Sequence, residues 1–303
     1  MKLWEHYHTP KTVEEARSLL LKYKGEATVI GGGTDLILDL KQGNHPPVKA
    51  LVDVTKISGL NAIDVVDGYA VIGAGVTHTQ VTRSQILADQ ATCLVESCGT
   101  VGGPQVRNVG TIGGNVAHAL PAGDGTTSLV ALDAEVDILQ AGEEKRVKIL
   151  EMYKGPGVSL LDSTQDILIR LYIPLAQNRE ASAFQRVMRP QGVALPILGC
   201  ASWIKLNTEQ KIESARICIG PVSPTPVRIT TIEEMLMGNQ IDKEILNKVV
   251  EIARYEIKPR TSKYRATAEY RLEMIELLLR GTLEMAYYRA KTGDVIPQGI
   301  GLQ

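Results

Sequence analysis

The sequence predicts an α+β fold in which a βαβ unit and further mixed helices and strands precede a separate C-terminal unit. A strand, a short helix over residues 35–41 and a second strand over residues 50–53 form a compact βαβ unit. Beyond residue 181 the pattern changes to apolar strands followed by helices, which is typical of an α+β unit. The polar stretch 177–180 separates the two patterns, so we expect domains at residues 1–176 and 177–303.

Local signals predict the remaining elements. Thr12 and Glu15 form a capping box for the first helix, which Gly25 ends. Asp67-Gly68 lies between two short apolar runs and predicts a hairpin. Residues 99–125 contain eight glycines and two prolines without periodicity, which predicts a long, functional loop. The other expected helices cover 77–98 in part, 128–132, 231–236, 243–255 and 263–290, and the other strands cover 135–139, 146–149, 167–173, 183–188, 201–206 and 215–219.

Composition argues for an ordinary globular protein that binds its ligands locally. The chain has 303 residues, of which 44% are apolar, and a formal net charge of -1. That charge provides no broad field for nucleic acid or an anionic membrane, and the 4% of aromatic residues argues against a base-stacking reader of single strands. The sequence shows neither an apolar signal region nor a stretch long enough to span a bilayer, so we expect a cytoplasmic protein.

Two glycine-rich segments are the strongest functional signal in the chain. The first reads Val29-Ile30-Gly31-Gly32-Gly33-Thr34-Asp35, and the second reads Thr111-Ile112-Gly113-Gly114-Asn115. Glycine lets the backbone take positive φ and approach a ligand closely, so that N–H groups can converge on phosphate oxygens. We expect the two segments to hold one long, doubly phosphorylated ligand, although either segment alone is also compatible with a structural turn.

Polar side chains accompany both segments. Thr34 and Asp35 fall where a helix begins, so its unpaired N–H groups add to those of the glycines. Asn115 offers both a donor and an acceptor, and Asp124 can accept from ribityl or ribose hydroxyls. Asp124 is equally compatible with capping the helix near Thr126.

Other nucleotide and metal sites are not indicated. Gly73-Ala74-Gly75 has His78 at the third glycine position of a dinucleotide fingerprint, and no P-loop pattern is present. His6 and His8 alternate on an edge segment without a third ligand nearby, so no metal site is expected there. The four cysteines form no Cys-x-x-Cys pair and are expected to be buried thiols: Cys93, Cys98, Cys200 and Cys218.

The glycine motifs carry a resemblance to a known family. Together with the run from Gly103 to Asn115 and Pro121-Ala122-Gly123-Asp124, they resemble the FAD-binding subunit of molybdenum hydroxylases such as xanthine dehydrogenase. The similarity extends over essentially the whole chain, including Arg189 and the turn from Gly220 to Pro226. It implies a two-lobed FAD-binding domain of the p-cresol methylhydroxylase type, followed by a three-stranded antiparallel sheet with a helical bundle.

The resemblance also implies which residues contact the cofactor. The FAD-binding positions correspond in this sequence to Val29, Ile30, Gly31, Gly32, Gly33, Thr34, Asp35, Leu36, Thr111, Ile112, Gly113, Gly114, Asn115 and Asp124, with Ile167, Leu168 and Phe184 expected near the cofactor. Many relatives carry a lysine soon after the aromatic position, whereas this chain has Arg186, which we expect to supply the cation in its place. His118 is a further candidate flavin contact without a covalent link, and Arg107 is expected to face a phosphate, an acidic partner or solvent.

The function implied by the resemblance is electron transfer. In such a complex a partner with molybdopterin acts on the substrate, a partner with 2Fe-2S clusters relays electrons, and FAD passes them to NAD or another acceptor. This chain carries no inserted cysteine cluster like that of the benzoyl-CoA-type reductases, so that relative is disfavoured. Two alternatives remain open: a self-contained flavin-dependent reductase, and a non-catalytic assembly protein that binds another anion.

Overall fold

A computed structural model describes residues 2–189, 196–262, 265–299 and 301–302 of the chain. Its first lobe is a small parallel sheet with two helices. The strands pair in the order β1-β3-β2, so the predicted βαβ unit is confirmed and the segment with His6 and His8 is an edge strand. The elements are β1 (His6–His8), α1 (Val13–Lys22), β2 (Ala27–Ile30), α2 (Leu36–Gln42) and β3 (Ala50–Asp53). As predicted, the Thr12 side chain caps α1, where it accepts from Glu15 N.

The second lobe is built on a five-stranded antiparallel sheet. Its strand order is β4-β5-β10-β6-β7, and the predicted hairpin at Asp67-Gly68 joins the first two strands. The strands are β4 (Ile63–Val66), β5 (Tyr69–Gly73), β6 (Glu135–Gln140), β7 (Glu143–Lys148), the short pair β8 (Tyr153–Gly155) and β9 (Val158–Ser159), and β10 (Ile167–Pro174). The helices are α3 (His78–Thr82), α4 (Gln85–Gln90), α5 (Thr92–Gly99), α6 (Pro104–Arg107), α7 (Ile112–Ala117) and α8 (Asp124–Ala131). Short 3-10 turns cover Val54–Lys56 and Ile149–Met152.

The prediction of a loop over residues 99–125 is wrong, because α6, α7 and the start of α8 lie within it. Glycine is a poor helix former, so Gly113 and Gly114 gave no helical signal. Tertiary packing overrides that propensity: a Cβ at Gly113 would lie 2.4 Å from the Ala74 carbonyl oxygen. The helix that begins here therefore needs glycine in order to approach the chain after β5.

The C-terminal unit contains a sheet covered by helices. Its antiparallel order is β11-β12-β13-β14, so the expected three strands are joined by a fourth. That strand has two residues and follows a proline-rich turn, and so short a run has no pattern that a sequence can show. The elements are β11 (Glu180–Met188), β12 (Pro196–Leu206), β13 (Ile212–Gly220), β14 (Val227–Arg228), α9 (Thr230–Leu236), α10 (Lys243–Glu256) and α11 (Ala268–Thr292). The predicted start of the last helix at Lys263 lies outside the described residues.

A buried ion pair joins the two units. Glu96 on α5 accepts from Arg289 Nη2 on α11 at 2.6 Å and from the Phe184 N–H on β11 at 2.7 Å. Arg289 Nη1 also donates to the Ser182 carbonyl. Phe184 and Trp203 from the C-terminal sheet complete the main core of the second lobe. This contact fixes the C-terminal sheet against α5 of the second lobe.

Candidate cofactor site

The two glycine segments lie directly against each other. A Cβ at Gly32 would lie 1.9 Å from the Val109 carbonyl oxygen, and a Cβ at Gly31 would lie 3.0 Å from Thr111 Oγ1. At position 32 only glycine permits the backbone of the first segment to come this close to the second. The convergence on which the two-segment hypothesis depends is therefore present in the fold.

The first segment contributes free backbone donors. Within the described residues, the N–H groups of residues 32–35 donate to no protein acceptor, and the Asp35 side chain caps no N–H of α2. Of the three glycines, only Gly33 has a positive φ, at +70°. The conformational freedom expected of the whole run is thus needed at one position, while Gly32 is required for space. Adjacent free N–H groups of this kind suit an anion such as a diphosphate.

The second segment uses its N–H groups differently. Ile112 N donates to the Val76 carbonyl, Gly113 N to the Ala74 carbonyl, and Gly114 N to Thr111 Oγ1. The segment is therefore a capped helix start and not a second cradle of free amides. It offers side chains instead: Asn115 Oδ1 is buried and has no hydrogen-bond partner among the described residues. A buried acceptor without a donor costs free energy, and a ligand hydroxyl could satisfy it.

Two histidines lie behind the segments. His118 Nδ1 lies 3.4 Å from Asp35 Oδ2, and the Asp35 side chain, through this hydrogen bond, raises the pKa of His118. His78 is 2% exposed, donates its backbone N–H to the Gly110 carbonyl, and packs its ring against Gly110. Burial, with a contribution from Arg107, lowers the pKa of His78 to about 4. His78 is therefore a neutral packing residue, while His118 is the titratable side chain at the mouth of the site.

Asp124 continues the site toward the C-terminal sheet. The Asn115 amide oxygen lies next to Gly123 and Gly125, which flank Asp124. Asp124 Oδ2 accepts from Arg186 Nη1 at 2.5 Å, and both side chains are buried. Burial raises the pKa of Asp124 to about 6, although Arg186 acts in the opposite direction. Asp124 is the first residue of α8 and makes no side-chain cap, so the capping alternative is not supported.

Of the apolar residues expected near the cofactor, Ile167 and Leu168 lie in hydrophobic cores, and the ring of Phe184 lies near Asp124. Leu168 lies in the core that contains Ile112, whereas Ile167 packs in the core of the first lobe. The Phe184 ring lies beside Gly199, which in turn adjoins Asp124. The cofactor contacts of these three residues remain predictions. Val29 and Ile30 end β2, and Leu36 begins α2, so all three frame the first segment.

The residues considered for other roles have structural partners. His8 Nε2 lies 2.8 Å from the Tyr23 hydroxyl. Arg107 Nη1 donates to the Val101 and Gly102 carbonyls, so its charge supports its own loop. The cysteines are free and buried, and no metal-binding cluster occurs among residues 2–189, 196–262, 265–299 and 301–302.

Several important contacts could not be identified from the sequence. Val109 and Gly110 form the surface on which the first segment rests, and although they lie in the run from Gly103 to Asn115, nothing in that run indicates this contact. Glu96 does leave a signal, because it is one charged residue in the otherwise uncharged run Thr92–Gly99. Such a residue must be paired when it is buried. Its partner, Arg289, could not be identified without the fold.

A second concavity lies at the other end of the boundary between the units. It has a volume of about 450 Å³ and is lined in part by Tyr69, Trp203 and Arg216. Arg216 lies over the Trp203 ring at 3.6 Å from its centroid, and its Nε donates to the Ala131 carbonyl, so the guanidinium is already engaged. None of the buried atoms without partners lies among its lining residues. The glycine segments therefore remain the candidate cofactor site.

The residues at these segments fit FAD. A diphosphate-bridged cofactor would find free N–H groups at residues 32–35 and a buried amide oxygen at Asn115. Asp124, Phe184 and Arg186 would extend the same site, with both charged and aromatic side chains. No helix in the described part of the chain is long and apolar enough to cross a membrane.

Comparisons with known proteins agree with this fit. Residues 2–176 match the model for the FAD binding domain in molybdopterin dehydrogenase, and residues 182–286 match that for the CO dehydrogenase flavoprotein C-terminal domain. The chain is 29% identical to the nicotinate dehydrogenase FAD-subunit of Eubacterium barkeri, over 83% of this chain and 86% of that protein. It is also 29% identical to the carbon monoxide dehydrogenase medium chain of Afipia carboxidovorans, over 94% of this chain and 97% of that protein.

A solved structure shows the same fold. Carbon monoxide dehydrogenase from Hydrogenophaga pseudoflava superposes with a TM-score of 0.87 and 26% identity, over 94% of this chain and 98% of that one. The fold, the paired glycine segments and the matched domains agree. The chain therefore belongs to the FAD-binding subunits of the molybdenum hydroxylase family and is an FAD-dependent oxidoreductase subunit.

Proposed function

We propose that this chain is the electron-transfer subunit of a heteromeric molybdenum hydroxylase. It would receive electrons from a partner with 2Fe-2S clusters, served by a molybdopterin-binding large subunit, and deliver them to NAD or another acceptor. The observation that carries the proposal is the contact of Gly31 and Gly32 with Thr111 and Val109, which places the free N–H groups of the first segment beside the second. We expect the assembly to be a heterotrimer in the cytoplasm.

FAD can take up and release electrons singly or in pairs, which suits a subunit between one-electron clusters and a two-electron acceptor. The chain's own residues bind and orient it. The N–H groups of residues 32–35 would hold its diphosphate, and Asn115 and Asp124 would accept from its hydroxyl groups. Arg186, fixed by Asp124, would place a guanidinium at the flavin edge, while Phe184 would exclude water there. Ile167 and Leu168 would shape the apolar wall.

The two domains would divide this work. We propose that residues 1–176 bind the cofactor and that residues 177–303 position Arg186 and Phe184 against it. The Glu96–Arg289 pair supports this division, since it ties β11 to α5. A self-contained reductase would need in addition a substrate pocket and a proton donor above the flavin.

Purification of the complex from its native host tests the proposal. We expect flavin and iron–sulfur absorption bands together, with two further chains of different size. Rapid mixing with substrate should bleach the flavin only when the partner chains are present. A colourless chain that takes up no FAD would overturn the proposal, and so would substrate turnover by the isolated chain.

A further inference from the structure

A cluster of arginines lies beside Asp124 at one end of the C-terminal sheet. Arg186 leaves β11 there, Arg265 precedes α11 and Arg271 lies in its first turn. Arg265 Nη1 donates to the Pro196 carbonyl at 3.4 Å, and Arg271 Nη1 donates to the Pro221 carbonyl at 2.7 Å. The ends of three strands therefore bring these guanidinium groups together, a grouping that no sequence spacing indicates.

The positive charge of this cluster exceeds its negative charge. Asp124 forms a salt bridge with Arg186, but no carboxylate among the described residues lies within salt-bridge distance of Arg265 or Arg271. Burial, together with the charge of Arg260, lowers the pKa of Arg265, and burial with the charges of Arg265 and Arg260 lowers that of Arg271. The chain as a whole has a net charge of -1, so this excess is local.

The cluster also contains buried donors that have no acceptor. Arg271 is 3% exposed and its Nε has no partner in the described part of the chain, and the same is true of Nε of the buried Arg186. A buried N–H group without an acceptor is destabilising, and an anion could supply the missing acceptor. The outer members, Arg189 and Arg260, are exposed, and Arg189 Nε donates to the Arg265 carbonyl at 3.2 Å. An anion could therefore enter from solvent and reach the inner guanidinium groups.

We propose that the cluster of Arg186, Arg265 and Arg271, with Arg260 at its edge, is a binding site for a pyrophosphate group. Guanidinium forks bind phosphate oxygens with paired hydrogen bonds, which would engage the unpaired Nε atoms. The role of this site rests on the proposed electron-transfer function. In that role, the site would hold a dinucleotide acceptor beside the flavin by its diphosphate. The same chemistry also suits the diphosphate of FAD itself, which the proposed function instead puts at residues 32–35, so the test distinguishes the two sources.

Titration with inorganic pyrophosphate tests the site, on both the FAD-loaded and the FAD-free full-length chain. We expect R265Q to weaken binding about tenfold or more, because a charge-assisted, paired contact is lost. R265K should recover part of this loss, and R260Q should show a smaller one with little risk to folding. R254Q removes the same charge from an exposed position on α10 and should bind as the wild type does.

Whether the FAD-loaded or the FAD-free chain binds pyrophosphate identifies the molecule whose diphosphate occupies the site. Arg265-dependent binding to the FAD-loaded chain, with competition by NAD, assigns the site to a dissociable dinucleotide. Arg265-dependent binding to the FAD-free chain alone, with competition by FAD, assigns it to the cofactor's diphosphate. If R265Q and R260Q leave the pyrophosphate affinity unchanged in both the FAD-loaded and the FAD-free chain, the proposed site is wrong. Because the titration of the FAD-free chain needs no flavin, its result is independent of whether the electron-transfer role is correct.

Discussion

Asp35 and His118 connect the two glycine segments, with Asp35 Oδ2 and His118 Nδ1 3.4 Å apart. Asp35 immediately precedes α2 and His118 immediately follows α7. The contact lowers the pKa of Asp35 and raises that of His118, chiefly through the hydrogen bond between them. The contact therefore changes with pH as His118 titrates.

FAD retention should fall as pH rises through the neutral range, because loss of the charge on His118 weakens the contact with Asp35 that holds the two glycine segments together. His118 has an ordinary pKa of 6.5 that the fold raises, so its stabilising contribution is complete below that value and is lost as pH rises through the folded-state pKa. Asp35 stays ionised throughout, because its pKa is lowered from 3.8. The FAD dissociation constant measured between about pH 6 and about pH 8.5 checks this. The H118Q variant should show a flatter profile, and an equal slope in both proteins would contradict the role of His118.

Gly32 and Gly114 should respond very differently to substitution. G32A places a Cβ 1.9 Å from the Val109 carbonyl oxygen, so the segments must separate and bound FAD should be lost. G114A meets only Thr111 Oγ1, at 3.0 Å, and alanine favours the helix, so most FAD should remain. FAD per chain and circular dichroism measure the two effects. Equal retention by both variants would show that the close approach does not shape the site.

Removal of the Asp124 side chain should lower the free energy of unfolding by more than the loss of one hydrogen bond would. D124A leaves Arg186 charged and buried, and breaking a buried pair typically costs about 3–5 kcal/mol, against about 1 kcal/mol for a hydrogen bond. Urea unfolding of the FAD-free chain isolates this contribution from cofactor binding. The double variant D124A/R186M should regain part of the loss. If D124A alone unfolds as the wild type does, the pair is hydrated in solution.

The Glu96–Arg289 pair should hold the two units in one cooperative transition. R289M leaves Glu96 buried without its cation and should lower the free energy of unfolding by about 3–5 kcal/mol. It should also separate the unfolding of the C-terminal unit from that of the first two lobes. Calorimetry tests both points, with R254M as an exposed control. A single transition at the wild-type temperature would rule out this role.

Acid should lower the stability of the folded protein through the protonation of His78. This residue has a folded-state pKa of about 4 against an ordinary value of 6.5, so the unfolded chain binds the proton more readily. Stability should therefore fall as pH drops from about 6.5 to about 4, by up to about 3 kcal/mol from this group. Other groups titrate in the same range, so the informative quantity is the difference in free energy of unfolding between wild type and H78Q. That difference should narrow on acidification; if it stays constant, His78 is not the titrating group.

The sequence alone determined the local elements and the identity of the cofactor motif. Capping at Thr12, the turn at Asp67-Gly68 and the apolar runs depend on neighbouring residues, so their patterns can be read directly. The glycine segments were recognisable because close backbone approach admits few residue types. Local patterns failed where packing overrides them, as in the helix that contains Gly113 and Gly114.

Only the tertiary structure decided how the site is assembled. It showed that the first segment has free N–H groups while the second uses its own, since hydrogen-bond partners come from distant residues such as Val76. It paired Asp124 with Arg186 and Glu96 with Arg289, contacts that span 62 and 193 positions along the chain. Charges so far apart leave no periodic signal. Their partners are set by which strand and helix ends meet, and that is a property of the whole fold.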